Sequence, residues 1–317
     1  MNIKHFRFSK TILISFFIFN SQLLHSTSAI TYTLSWGRFG DHLVSYCHAK
    51  WIAFKYNIPL LCKPFKYSDQ LALHDFEKQY SESKARKFKK TITLDTSSIN
   101  TIDRDADILY IVPYFPESNF ESYNHNNDFS CHFSVDWQDP AFKKELQKQI
   151  APRHAISQPQ LPTDSIYIAV HIRKGTGYDD LSILNAAMPL KFPPESYYIE
   201  QIQILINQLT DQKIYIYIFT DHDNPSEITA RLQAAISNDG MGNEITFDCR
   251  QTDNHHTKNV IEDFFALTHF DYLIRADSNF SIIAAKLTQY SLEIYPSDFE
   301  KKDNTISIKK IMYINQK

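Results

Sequence analysis

Ile168-Ala169-Val170-His171-Ile172-Arg173-Lys174-Gly175-Thr176-Gly177 decides the fold: an apolar, β-branched run ends in His-x-Arg and breaks into a glycine-bearing loop. Runs of this kind form strands buried on both faces, as in a parallel sheet covered by helices. Such a strand delivers His171 and Arg173 to the carboxyl end of its sheet, the edge at which open α/β folds bind ligands. A guanidinium there suits a phosphate, which it can grip with two parallel N–H donors. The neighbouring imidazole can hydrogen-bond a base or a sugar hydroxyl.

Working outward, the same alternation continues downstream. Residues 194–209 have helical period, 214–220 read as a strand ending at Asp221, and 226–236 as a helix. A strand at 244–247, a helix at 260–268, a strand at 271–275 and a helix at 280–288 follow. Strands alternating with helices of this length predict a parallel sheet built from right-handed crossovers. Upstream, 32–35 read as a strand, Gly37-Arg38-Phe39-Gly40 as a glycine loop, 43–56 as a helix, and 58–62 and 108–112 as strands. An aromatic, proline-containing loop with Tyr114, Phe115, Phe120 and Tyr123 comes next, then a helix at 141–149. Residues 151–163 hold three prolines and no sustained period, which marks a domain boundary. The expected architecture is therefore α/β, with an N-terminal Rossmann-like domain at 30–155, a C-terminal one at 156–317, and a cleft between them.

Composition narrows the partners. With 43% hydrophobic and 22% charged residues, 317 residues suffice for two buried cores. A net charge of −3 argues against nucleic acid, which requires clustered excess Lys and Arg. The basic run 84–90 reads as a solvated helix face. Residues 1–29 differ: Lys4, Arg7 and Lys10 precede an apolar segment at 11–19, and Thr27-Ser28-Ala29 supplies small residues for cleavage. This is the pattern of a secretory signal peptide or an uncleaved signal anchor. It predicts an exported or membrane-anchored protein, with membrane association through that segment. The four cysteines have no C-x-x-C spacing; Cys47 and Cys62 are expected as buried thiols, and no zinc site is expected. His255-His256 reads as a solvated loop pair.

Three polar groups fall at one predicted sheet edge: His171 with Arg173, Asp221, and Asp277-Ser278-Asn279-Phe280-Ser281. The last is a strand-to-helix junction whose backbone N–H groups and hydroxyls suit an anion.

Residues 169–175 resemble the His-x-Arg motif of the fucosyltransferase superfamily, which includes bacterial and core α1,6-, α1,2- and protein O-fucosyltransferases. Ile216-Tyr217-Ile218-Phe219-Thr220-Asp221 is similar to its second motif, and the stretch from Asp263 to Ser281 to its third. Gly37-Arg38-Phe39-Gly40 is similar to the Gly-Arg-Phe-Gly loop of the protein O-fucosyltransferases. The resemblance implies a GT-B-type fold of two Rossmann-like domains and an inverting, metal-independent glycosyltransferase. Its donor would be a GDP-sugar, GDP-fucose, its acceptor a glycan or protein hydroxyl, and no cofactor is implied. Arg173 would stabilise the leaving diphosphate; His171 and Asp263 would contact guanine or ribose. Ser278, Asn279, Phe280 and Ser281 would line the phosphates with Asp221 nearby, and Arg38, Phe39 and Gly40 would approach from the other domain. Where the pattern has Asn after Gly40, this chain has Asp41, which either turns from the diphosphate or serves as a base. Asp179 and Asp180 are the other candidates for the base that inverting transfer needs. The competing reading is a catalytically silent sugar-nucleotide or glycan-binding module of the same fold. A histidine phosphatase would require Arg-His-Gly, the reverse order, and neither a Walker loop nor a Gly-x-Ser-x-Gly elbow is present.

Overall fold

The computed structural model describes residues 27–95, 98–114, 135–175, 188–236, 242–303 and 305–315. The first half contains β1 (Ala29–Tyr32), α1 (Phe39–Tyr56), β2 (Leu61–Cys62), β3 (Lys78–Gln79), β4 (Lys90–Thr93), β5 (Ile108–Val112) and α2 (Pro140–Gln149). β1, β5 and β4 are parallel, β2 is parallel to β3, and a parallel bridge joins Ile30 to Leu60. The strands thus run β3-β2-β1-β5-β4.

The second half contains β6 (Ile166–Ile172), α3 (Glu195–Ile206), β7 (Lys213–Thr220), α4 (Pro225–Ala235), β8 (Glu244–Cys249) and α5 (Val260–Leu267). It continues with β9 (Tyr272–Arg275), α6 (Asn279–Leu287), β10 (Leu292–Lys302) and β11 (Thr305–Asn315). Its sheet order is β8-β7-β6-β9-β10-β11, parallel except for β11. This is the doubly wound Rossmann arrangement, and the order reverses between β6 and β9.

β7 shows why the sheet is covered on both sides. Ile214, Ile216 and Ile218 enter one core with Tyr198, Ile202, Ile228 and Leu232 of α3 and α4. Tyr215, Tyr217 and Phe219 face the other way, into a core with Phe264 of α5 and Ile282 and Ile283 of α6. The period of two that separates isoleucines from aromatics is the strand's own pleat. The aromatic-side core extends without a break into the first half, through Leu43, Cys47 and Ile52 of α1. Close approach of α1 to α6 depends on Gly40, where a Cβ would lie 2.4 Å from the backbone nitrogen of Phe280. The two halves therefore share an apolar layer, and the cleft is confined to its carboxyl edge.

Several expected boundaries shift. α1 begins at Phe39 rather than 43, because its second residue is the glycine that the sequence presents as loop. The first strand begins at Ala29 rather than 32; Ala29 pairs with Leu109, and Ser28 donates to Asp103 O and accepts from Ile108 N. A cut between Ala29 and Ile30 would remove Ala29 from the sheet and the two hydrogen bonds of Ser28 beside it. β3 and β4 are short and polar, and the β10–β11 hairpin interrupts its apolar residues with charged ones, so the sequence reading passes over them. Cys47, Cys62 and Cys249 are buried free thiols, and burial pushes the Cys62 thiol up to about 12. Residues 1–26, Phe115, Phe120, Tyr123, Cys131, Asp179 and Asp180 lie outside the described residues. Among the described residues no helix is long and apolar enough to cross a membrane.

Candidate functional site

A pocket of about 300 Å³ opens at the carboxyl ends of β6, β7 and β9, against the N-terminus of α1. It sits at the point where the strand order reverses, and its volume is at the lower end for small-molecule sites. Both halves line it.

The His171-to-Gly175 loop forms one wall. Asp221, just past β7, accepts from Lys174 N at 2.6 Å on Oδ1 and from Gly175 N at 3.1 Å on Oδ2. Gly175 has φ +78°, a left-handed conformation that glycine adopts without a Cβ clash. The turn returns Arg173 toward the same carboxylate, with Nε 3.4 Å from Asp221 Oδ2. From the opposite wall Arg38 brings Nη1 to 3.7 Å of that oxygen. Two guanidiniums from different halves of the chain thus meet at one carboxylate oxygen. Asp221, expected among ligand contacts, lines the pocket, and its partners here are the loop amides and the two arginines.

His171 is buried, its ring stacked on Phe280 at 5.6 Å and 29°. Burial, then the charges of Arg173 and Arg275, lower its pKa to about 3, so the imidazole is neutral across the physiological range. Its Nδ1 is buried without a hydrogen-bond partner, a group left for a ligand to satisfy. Asp263 at the start of α5 is raised to about 6 by burial, which outweighs the opposing pull of its ion-pair partner Arg250. An incoming base would have to share that carboxylate with the guanidinium.

Asp41 lines the pocket but is engaged elsewhere. As the third residue of α1, it accepts from Arg38 N at 2.9 Å, the acidic half of a capping box. Its other oxygen accepts from Tyr114 Oη at 2.8 Å and Asn279 Nδ2 at 2.5 Å. Asp41 therefore ties the first half to α6. Phe39 is buried in an aromatic cluster, 5.3 Å from Phe264 and 6.4 Å from Phe280. Ser278 reaches the pocket at the cap of α6. Ser281 does not: it is fully buried and donates to Ser278 O, so the expected phosphate contact is corrected to a packing role.

The sequence reading missed Tyr67, Lys66, Lys191 and the 255–258 loop, all of which line the pocket. It placed His255-His256 in solvent, whereas the imidazoles stand 4.0 Å apart at the pocket wall. Partial burial, then Arg38 and His255, lower the His256 pKa. No local pattern announces these residues; the 255–258 loop arrives by the crossover from β8 to α5. Among the described residues, no group of three or more His, Cys, Asp or Glu side chains is placed to hold a metal ion.

No protein-family model matches the chain, and no curated protein matches its sequence. Solved structures do resemble it. A mutant of Arabidopsis thaliana FUT1 in complex with GDP aligns with a TM-score of 0.52 at 12% identity, covering 87% of this chain and 72% of that one. POFUT1 in complex with GDP gives 0.44 at 12% identity, over 83% and 94%. NodZ alpha-1,6-fucosyltransferase soaked with GDP-fucose gives 0.42 at 10%, over 92% and 99%. The FUT1 likeness shows a shared α/β fold of Rossmann-like domains.

Proposed function

We propose that this protein is an inverting, metal-independent glycosyltransferase that transfers fucose from GDP-fucose to a glycan or protein hydroxyl. The observation that carries the reading is the meeting of Arg38 and Arg173 at the switch-point pocket. A diphosphate is the ligand whose charge and oxygen geometry match two facing guanidiniums. As the sugar–oxygen bond breaks, negative charge builds on the β-phosphate, and fixed cations stabilise it more than the ground state. The shared fold with a GDP-complexed fucosyltransferase supports the choice of nucleotide. In this reading Arg173 neutralises the leaving group and Arg38 closes on it from the acceptor side. His171, held neutral, offers a nitrogen to ribose or phosphate, and Asp263 accepts from the guanine edge. Asp179 or Asp180 supplies the base for the acceptor hydroxyl. One observation favours a binding-only module instead: the carboxylate of Asp41 is already engaged by a cap, a tyrosine and an asparagine.

A thermal-shift series with GDP, GDP-fucose, GDP-mannose and UDP-sugars tests the reading. Ligand at 100 times its Kd stabilises by about 2.7 kcal/mol, enough for a rise of several degrees. GDP and GDP-sugars should give that rise, and GDP-fucose should be turned over. Stabilisation by UDP-sugars alone would overturn the nucleotide assignment. GDP binding without turnover under any acceptor would select the module.

A further inference from the structure

Tyr67 has φ +72°, a left-handed backbone that bulky side chains rarely adopt. Strain of this kind persists where surrounding contacts hold it, and it concentrates at ligand clamps. Contacts of its ring and its hydroxyl hold it here. The Tyr67 ring meets Phe39 edge-on at 6.0 Å, and its hydroxyl donates to the backbone carbonyl of Thr257 at 2.7 Å. That bond joins residues 190 apart and spans the pocket from the first half to the second.

The loop it reaches is fixed at its base by other means. Asn254 donates to Thr220 O and His222 O, at the end of β7. Asn259 donates to Asp253 O, and Lys258 pairs with Asp253 at 2.9 Å. Between these anchors stand His255, His256 and Thr257, which line the pocket. Nδ1 of His256 is buried without a hydrogen-bond partner, and His256, Arg38 and Asp221 line the same pocket.

We propose that Tyr67 is a latch residue: its hydroxyl holds the 253–259 loop against the pocket, presents His256 to the anionic part of the bound ligand, and slows that ligand's release. The inference rests on the nucleotide-diphosphate reading above for the identity of the ligand. Tyr67 is a positioning residue, acting through the loop.

Tyr67→Phe removes the hydroxyl and keeps the ring against Phe39. Hydrogen exchange followed by mass spectrometry on the ligand-free protein should show faster exchange confined to amides 254–259, with the melting temperature within about 1 °C of the parent. With GDP as the probe, dissociation measured by stopped flow should be about three- to tenfold faster, the loss expected for one exposed hydrogen bond. His256→Ala should weaken GDP binding without altering exchange at 254–259, which separates the contact from the strap. Unchanged exchange in Tyr67→Phe would overturn the latch whether or not GDP binds. Faster exchange with unchanged GDP dissociation would overturn its control of release. Failure of the parent protein to bind GDP, with faster exchange still seen, would locate the error in the nucleotide reading and leave the strap standing.

Discussion

The 37–41 corner and the 171–175 corner face each other across the pocket, and each uses an aspartate to hold an arginine-bearing turn. Asp41 takes the backbone N–H of Arg38 and spends its second oxygen on Tyr114 and Asn279. Asp221 takes the backbone N–H groups of Lys174 and Gly175, and its Oδ2 also faces two guanidiniums. The first aspartate is closed by hydrogen bonds to neutral partners. The second is the counter-ion of charges that a phosphate can take over. Residue type alone does not distinguish them; the partners do.

The comparison is broken most severely at Arg173. Arg173→Ala should lower kcat/KM by 10²–10³, about 3–4 kcal/mol of lost charge stabilisation in the transition state. Asp221 keeps its two backbone donors and Arg38, so the melting temperature should move little. Steady-state kinetics with GDP-fucose and a competent acceptor, beside a melting curve, checks both halves. More than about a tenth of parental activity would sink the leaving-group role.

Asp221→Asn probes the same wall from the other side and should be smaller. The amide oxygen still accepts from the turn, but the charge that gathers Arg38 and Arg173 is gone. GDP should bind as tightly as before or more so, since it no longer displaces a counter-ion, while turnover falls about tenfold through loosened arginine placement, ~1.4 kcal/mol. Calorimetry and initial rates read the two effects separately. A fall in GDP affinity as large as that of Arg173→Ala would mean that Asp221 contacts the ligand itself.

The two corners also differ in how far the amino-acid sequence reveals them. The 166–175 wall is legible because an apolar strand with a polar end has one natural place in a parallel sheet. β6 holds the apolar run that opens in front of His171, and His171 and Arg173 both reach the pocket. The strand–helix alternation that follows places Asp221, Asp263 and Ser278 at the same edge for the same reason. The opposite wall is less legible. The proximity of Gly40 to Phe280 and the bonding of Asp41 to Asn279 span more than 200 residues and leave no periodic trace. Ser281 shows the limit from the other direction. One residue along a helix rotates a side chain by about 100°, enough to move a hydroxyl from the pocket to the core. The 255–258 loop is polar and aperiodic, so its position depends on tertiary contacts, above all those of Asn254 and Tyr67.

The smallest effect belongs to Asp41→Asn, and it decides whether this aspartate is a base. Asparagine keeps one acceptor oxygen, which can stay on Arg38 N. Its amide then points at Tyr114 Oη and Asn279, where a tyrosine hydroxyl can accept and the Asn279 side chain can turn its carbonyl inward. All partners remain satisfied after one amide rotation, so the loss should stay below about 1 kcal/mol, with turnover within a fewfold of the parent. Asp41→Ala strands the Arg38 N–H and the Asn279 amide, and should cost about 2 kcal/mol in urea unfolding. The base hypothesis predicts no such ranking for chemistry, because neither Asn nor Ala can take a proton: kcat would collapse by 10² or more in both variants while GDP affinity held. Equal collapse in the two would move Asp41 from architecture to catalysis. Near-parental turnover in Asp41→Asn would leave the proton to the 176–187 segment, where Asp179 and Asp180 lie.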